Sequence, residues 1–231
     1  MIRYFFIFIL IFQLDNVAAD DISIKKHESL FNTLKSPKDW KLINQDNNLT
    51  LSVKPISGME LAAYRVQKRT DVPIDVVQNI IMDVKNYDKY FNKNQSPAFK
   101  QLEQGPGWVE GHHYLPISIP LVKDREYFFR VHTNGYNNED TTSIVHWYLI
   151  KNSKDKHEEL NKQTIILNYG AGLWMADSFN DTTYVLSYCL FLDPGGSIPD
   201  FAVELINKAN IINIFQDVIA EASGNTIGSL P

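Results

Sequence analysis

The period of the apolar positions changes several times along the chain, and each change marks an element. Between Ile22 and Ser36, the residues Ile24, Leu30, Phe31 and Leu34 follow a helical spacing that Pro37 ends. Trp40 to Ile43, Leu49 to Lys54 and Glu60 to Lys68 then predict a meander of short strands, separated by the polar run Gln45 to Asn48 and a turn at Gly58. After Asp71 the period is helical again. Val76, Val77, Ile80, Ile81 and Val84 share one face, and Pro73 suits the first turn. This helix is expected to stop near Asn86, which leaves Tyr87, Tyr90 and Phe91 as an aromatic knot in a loop.

Ser96 to Leu192 reads as a longer run of strands, with turns expected at Gly105-Pro106-Gly107, Pro120, Asn134-Gly135, Asn152 to Lys156 and Asn180-Asp181. In Arg125 to His132, Glu126, Arg130 and His132 share one parity while Tyr127, Phe129 and Val131 share the other, so the strand is predicted to have one wet and one apolar face. In Tyr184 to Leu192 both parities are largely apolar. Ser187 marks the more polar set, which makes Tyr184, Leu186, Tyr188 and Leu190 the inward one. The final segment is a helix opened by Pro199 and running to about Ala222, with Leu205, Ala209, Ile212, Phe215, Ile219 and Ala222 at three- and four-residue steps and Ser223-Gly224 as its stop. The order of elements predicts an α+β fold. An antiparallel sheet of this length curls, and the long last helix is the piece available to cover its concave face.

Composition narrows the function. With 231 residues, 44% of them hydrophobic and 12% aromatic, the chain can bury one sizeable core. Its 22 basic and 27 acidic residues give a charge of -5, which offers no cationic stripe for a nucleic acid. Cys189 is the single cysteine, so neither an internal disulfide nor a thiolate metal cluster is available. His112 and His113 are adjacent, and neighbours on a strand face opposite sides, so no metal is expected there; the pair reads first as surface histidines, with a cavity-facing one that hydrogen-bonds a ligand as the alternative. No HExxH, GxSxG or CxxC motif occurs. At the N-terminus, Arg3, the apolar run Tyr4 to Phe12 and the small residues Val17-Ala18-Ala19 read as a secretory signal peptide, because the run is about half of the ~20 residues a spanning helix needs. The mature chain is expected to start near Asp20 and to act outside the cytoplasm, as a secreted or periplasmic protein.

On composition alone, Asp193-Pro194-Gly195-Gly196-Ser197-Ile198-Pro199 is a turn between a strand and a helix. Together with Asp200-Phe201 it closely resembles the strand-to-helix junction of START domains, the steroidogenic-acute-regulatory-protein-related lipid-transfer family. Further pieces follow in that family's order. Trp40-Lys41-Leu42 is similar to its opening strand, Ala63-Tyr64-Arg65-Val66 to its third, and Val76 to Tyr90 to its first core helix. Pro120 to Tyr127, with Lys123-Asp124-Arg125-Glu126, resembles its RD strand, and Gly172-Leu173-Trp174 with Thr183 its paired last strands.

The resemblance implies a helix-grip fold, in which a curved antiparallel sheet wraps around the C-terminal helix and encloses a hydrophobic tunnel. The resemblance covers about residues 38–222, the expected lipid-binding domain, so that the chain is expected to divide into a signal peptide (1–19), an N-terminal helix (20–37), that domain and a tail (223–231). It also implies binding of one lipid or other hydrophobic small molecule, for transfer or storage, without a cofactor. The expected protein is a monomer that touches membranes only transiently.

The residues expected to line the tunnel are His112, Tyr114, Tyr127, Phe129, Trp147, Trp174, Leu186, Tyr188, Phe201, Leu205, Ala209 and Ile212. Asp124, Arg125, Asp193, Pro194, Gly195, Gly196 and Pro199 are expected to build or gate its mouth, the gate itself being Leu115 to Lys123 with Ser197 to Phe201; Arg125 would pair with a nearby carboxylate. Two departures limit the transfer. Glu204 stands where many relatives have Asn, and Val131 where some sterol-binding members set an arginine. Helix-grip relatives also include cyclases and hydrolases, for which Asp124, Arg125 and Glu126 are the candidate polar groups, while a tunnel filled by side chains would indicate an interaction module.

Overall fold

The computed structural model describes residues 27–46, 48–91, 98–117, 119, 122–133, 142–151, 164–196, 198 and 200–224, with backbone only at 98, 142, 143 and 200–206. The expected signal peptide, the turns at Pro120, Asn134-Gly135 and Asn152 to Lys156, and Pro199 lie outside the described residues.

A first helix, α1 (27–35), precedes the strands β1 (Lys41–Asp46), β2 (Leu49–Pro55) and β3 (Ala62–Thr70). Next come helix α2 (Ile74–Met82), a single 3-10 turn and the one-turn helix α3 (Tyr87–Tyr90). The strands β4 (Ala98–Gly105), β5 (Trp108–Leu115), β6 (Arg125–Thr133), β7 (Thr142–Ile150), β8 (Ile165–Ile166), β9 (Gly170–Ser178) and β10 (Tyr184–Leu192) lead to the long helix α4 (Asp200–Ala222). All strands join one curved sheet in the order β1-β2-β3-β10-β9-β7-β6-β5-β4, antiparallel except that the short β8 runs parallel to β6. The chain therefore lays its first meander beside its last hairpin, and β3 pairs with β10 from Thr70–Tyr184 to Tyr64–Leu190.

Pro73 occupies the cap position of α2, one residue before the first turn in which the sequence placed it. Its ring sets the φ that leads into the helix, and its carbonyl accepts the first helical bond from Val77 N at 3.2 Å. Val77, Ile80 and Ile81 are buried at helical spacing. The segment expected to be a loop is the turn α3 instead, because Val84, Tyr87 and Phe91 extend the buried row of α2.

Strand parity sorts the core into two. On the concave face, Tyr64 and Val66 of β3, Phe129 and Val131 of β6, Val145 and Leu149 of β7, Trp174 of β9, and Leu186, Tyr188 and Leu190 of β10 meet Ile211, Phe215 and Val218 of α4. The inward set predicted for β10 is thus the concave one. The opposite face is not wet. Ala63, Tyr148, Ala171, Leu173, Met175, Cys189 and Phe191 form a second core there, covered by Leu30, Phe31 and Leu34 of α1. The face of β6 expected to be wet shares this burial at Glu126 and Phe128, while Arg130 and His132 stay partly exposed.

Helix α4 spans 23 residues, roughly 34 Å at 1.5 Å per residue, and so reaches across the sheet. Its buried row is Asn207, Ile211, Phe215 and Val218. The predicted row shares Phe215 with it, and Ile212, Ile219 and Ala222 pack half-buried at the edge of the core, but Ala209 is exposed. The helix ends as expected. Ser223 N donates to Ile219 O at 2.9 Å and Gly224 takes φ +66°.

Candidate ligand-binding site

Between the concave face and α4 lies a cavity of about 70 Å³, lined by Ile81 of α2, Tyr87 and Phe91 around α3, Phe99 of β4, sheet residues of β6 to β10, and Ile214 and Val218 of α4. The sheet contribution is Tyr127, Phe129, Val131, Trp147, Trp174 and Tyr188. No residue of this lining is charged among the described residues. Ligand pockets are usually about 300 Å³ or more, so a lipid needs space beyond these walls.

The walls are aromatic plates set by strand register. Trp174 and Tyr188 are opposed across β9 and β10, and their rings stack at 4.3 Å with 12° between planes. Phe215 of α4 stacks on Trp174 as well, at 5.7 Å and 5°. Trp147 lies flat over the neighbouring strand because Gly172 is opposite it. A Cβ at Gly172 would sit 2.2 Å from Trp147 Nε1. Held there, the indole N–H donates to the Tyr188 hydroxyl at 3.1 Å.

Hydroxyls supply the cavity's polarity. Tyr87 donates to Ile81 O by a short bond. Burial, first of all, pushes the pKa of Tyr87, Tyr127 and Tyr188 upward; nearby phenols push Tyr87 and Tyr127 further in that direction, while the bond from Trp147 pulls Tyr188 part of the way back. All three stay neutral hydrogen-bonding groups. Behind Tyr127 sits His113, whose Nδ1 is 2.7 Å from the Tyr127 hydroxyl and whose ring stacks on Phe99 at 3.8 Å. Desolvation, with a smaller contribution from His112, lowers its pKa to about 3, so it is neutral as well.

Of the residues the sequence nominated for the lining, Tyr127, Phe129, Trp147, Trp174 and Tyr188 are in the cavity wall. Leu186 is on the same face but belongs to the packed core away from the cavity. His112 and Tyr114 have the opposite parity and face outward. His112 Nε2 lies 3.1 Å from Glu126 Oε2, and the Tyr114 hydroxyl donates to Asp124. His113, the other histidine of the pair, is the inward one. Ala209 is exposed and Ile212 packs half-buried on the core outside the cavity wall, and the side chains of Phe201 and Leu205 lie outside the described residues. Ile81, Tyr87, Phe91, Phe99, Ile214 and Val218 were not nominated; the signal for the first three was the three- and four-residue spacing that runs from Val77 through Phe91.

The residues nominated for the mouth form a tie between chain segments. Arg125 is 1% exposed. Its Nε donates to Pro194 O at 3.0 Å and its guanidinium NH2 to Gly195 O at 3.1 Å, while Nη1 donates to Lys123 O. The carboxylate partner expected for it is replaced by these carbonyls. They are the groups that a turn leaves without backbone donors, and they project at the strand end where the guanidinium fork can take them together. Asp193 Oδ1 accepts from Gly195 N at 2.9 Å, and Gly196 takes φ +65° where a Cβ would meet Ile165 Cδ1 at 2.6 Å. Asp124 accepts from Ile117 N at 2.8 Å and from Tyr114, which holds its pKa below the usual carboxylate value and closes the β5–β6 loop. Glu126 accepts from Thr164. Asp124, Arg125 and Glu126 thus bond within the framework and do not line the cavity.

No protein-family model matches the chain, and no curated protein matches it by sequence. Solved structures do match. A STAR-related lipid transfer protein from Xanthomonas axonopodis superposes with a TM-score of 0.63 at 17% identity, covering 80% of this chain and 99% of that one. The human StAR-related lipid transfer protein 5 gives 0.67 at 12% identity, covering 89% and 96%. Human STARD10 gives 0.65 at 13% identity, covering 88% and 82%. With the sheet order and the helix across its concave face, these likenesses establish a helix-grip fold of the START type.

Proposed function

We propose that the protein binds one hydrophobic small molecule, a lipid or a compound of similar character, between the concave sheet face and α4, and shields it from water for transfer or storage. The observation that carries this reading is the cavity wall itself, which is aromatic and aliphatic with neutral hydroxyls and no charged lining residue among those described. Burial of an apolar ligand at roughly 25 cal/mol per Å² supplies affinity without any chemical step. The structures it resembles are named as lipid transfer proteins, which supports the same reading. The reading assigns carriage rather than turnover, because the polar trio Asp124, Arg125 and Glu126 is engaged in holding β6 to its neighbours.

The protein is further proposed to act as a monomer outside the cytoplasm after removal of residues 1–19, with transient membrane contact and no nucleic-acid partner. The leader-like N-terminus supports the location, and the charge of -5 supports the reading that no nucleic acid is a partner.

Ile214 lines the cavity from α4 and is half-buried, so Ile214→Trp fills the space at little cost to the fold. Trp147 and Trp174, in the wall, report binding through their fluorescence. The expected result is saturable quenching by an apolar ligand at one molecule per chain, abolished in Ile214→Trp with the circular dichroism unchanged. Undiminished binding by that variant would place the ligand elsewhere.

A further inference from the structure

His113 is 6% exposed, and its Nε2 has no hydrogen-bond partner among the described residues. An unpartnered buried nitrogen costs free energy, and a site that keeps one calls for a reason. The other ring nitrogen meets the hydroxyl of a cavity residue, Tyr127. Two neutral tautomers are open to this pair. In the first, Tyr127 donates to Nδ1, which leaves a buried Nε2–H with no acceptor. In the second, Nδ1–H donates to the Tyr127 oxygen, Nε2 keeps a bare lone pair, and the tyrosine proton is free for the cavity. An oxygen atom placed in the cavity selects the second state by accepting that proton.

The neighbouring hydroxyls sharpen the inference. The Tyr87 proton is already donated to Ile81 O. The Tyr188 oxygen accepts from Trp147, and its own proton has no acceptor among the described residues. The cavity thus offers donors without cations, from Tyr127 and Tyr188, inside walls that carry no charge among the described residues. A carboxylate or phosphate buried here would lose its hydration with no opposite charge among the described lining residues to replace it, a penalty several times larger than one hydrogen bond returns.

Resting on the binding function above, we propose that the ligand is an uncharged hydrophobe carrying an acceptor oxygen, of the ester, ketone or alcohol type. Its oxygen is held by the Tyr127 hydroxyl, and His113 is the positioning residue that turns that hydroxyl's proton into the cavity.

Three probes of one shape separate the possibilities: cis-parinaric acid, its methyl ester, and the corresponding hydrocarbon tetraene without oxygen, each titrated by fluorescence at pH 8 against the full chain. The ester is expected to bind about tenfold more tightly than the hydrocarbon, which is the worth of one neutral hydrogen bond, and the ionised acid more weakly than either. Tyr127→Phe should remove the advantage of the ester over the hydrocarbon. His113→Phe keeps a ring against Phe99 and retains the tyrosine. A positioning role lowers ester affinity alone, whereas a purely structural role lowers ester and hydrocarbon together and overturns the assignment of His113. Equal binding of ester and hydrocarbon by the unaltered protein, or acid binding as tight as ester binding, overturns the anchor while leaving the binding function standing. Failure of all three probes to bind overturns both.

Discussion

Arg125 holds the end of β6 to the junction between β10 and α4, and replacing it measures how far the long helix depends on that tie. Arg125→Met keeps the buried stem and removes every donor. The Pro194 and Gly195 carbonyls then lose partners that sit at 3.0 and 3.1 Å, and the Lys123 carbonyl loses a third. Hydrogen bonds from a charged donor are worth about 1.5–3 kcal/mol each. The junction is half-buried, so water replaces part of this, and the net loss works out at about 3 kcal/mol. Arg125→Lys retains the charge but not the planar fork that reaches two carbonyls at once, so it should lose an intermediate amount, about 1–2 kcal/mol. Urea unfolding followed by tryptophan fluorescence reads both values, and a lower midpoint at unchanged slope identifies a loss of stability. A loss below about 1 kcal/mol for Arg125→Met would refute the tie and return Arg125 to the candidates for chemistry.

Three further outcomes follow from the packing and the buried histidines. Gly172→Ala puts a Cβ into the Trp147 indole, so Trp147 should swing away, its bond to Tyr188 should break, and stability should fall by about 1–3 kcal/mol; the tryptophan emission and the melting temperature check this together. Phe31→Ala in α1 should destabilise by about 3–5 kcal/mol, as much as Phe215→Ala in α4, because each side chain is fully buried; a loss near zero at Phe31 would show that α1 is peripheral. His113 and His146 are held neutral by burial, their pKa values lowered from 6.5 to about 3, whereas an unfolded chain protonates both below about pH 6.5. The unfolded state therefore binds more protons across that window, and stability falls as the pH drops from 6.5 towards 3, by at most about 1.4 kcal/mol per pH unit for each histidine. His146→Phe should flatten this slope in urea titrations repeated between pH 5 and pH 7, roughly the upper part of the window.

The parts of the fold that were legible in the sequence are those where polar residues alternate with apolar ones. In β6, Glu126, Arg130 and His132 against Tyr127, Phe129 and Val131 identified the concave set because charge marks parity without ambiguity. In β9 and β10 both parities are apolar, since one faces the cavity side and the other packs under α1. A pattern with no polar face predicts burial but not what covers it, and the second core escaped for that reason. The phase of α4 was obscured by composition. Its buried row contains the polar Asn207, and the predicted row contains the exposed Ala209, so among the described residues the two rows coincide only at Phe215.

The cavity was half legible. Aromatic residues on the last strands suggested a lining, but Phe99 and the α2–α3 contribution depend on packing between distant segments. Long-range partners are the least visible of all. The bonds from Arg125 cross 69 and 70 positions of sequence, and no local pattern announces a guanidinium that ends on backbone carbonyls. The pairing of His113 with Tyr127 has the same origin. It depends on the β5–β6 register, which sets the two residues opposite each other.

Native mass spectrometry of the full chain tests the central claim most directly. The protein is incubated with a total lipid extract, separated from free lipid, sprayed intact and then dissociated. The account predicts one added mass per chain, released on dissociation as an uncharged hydrophobic molecule and missing from Ile214→Trp. An unliganded mass alone under these conditions, or an added mass that Ile214→Trp retains, would contradict it.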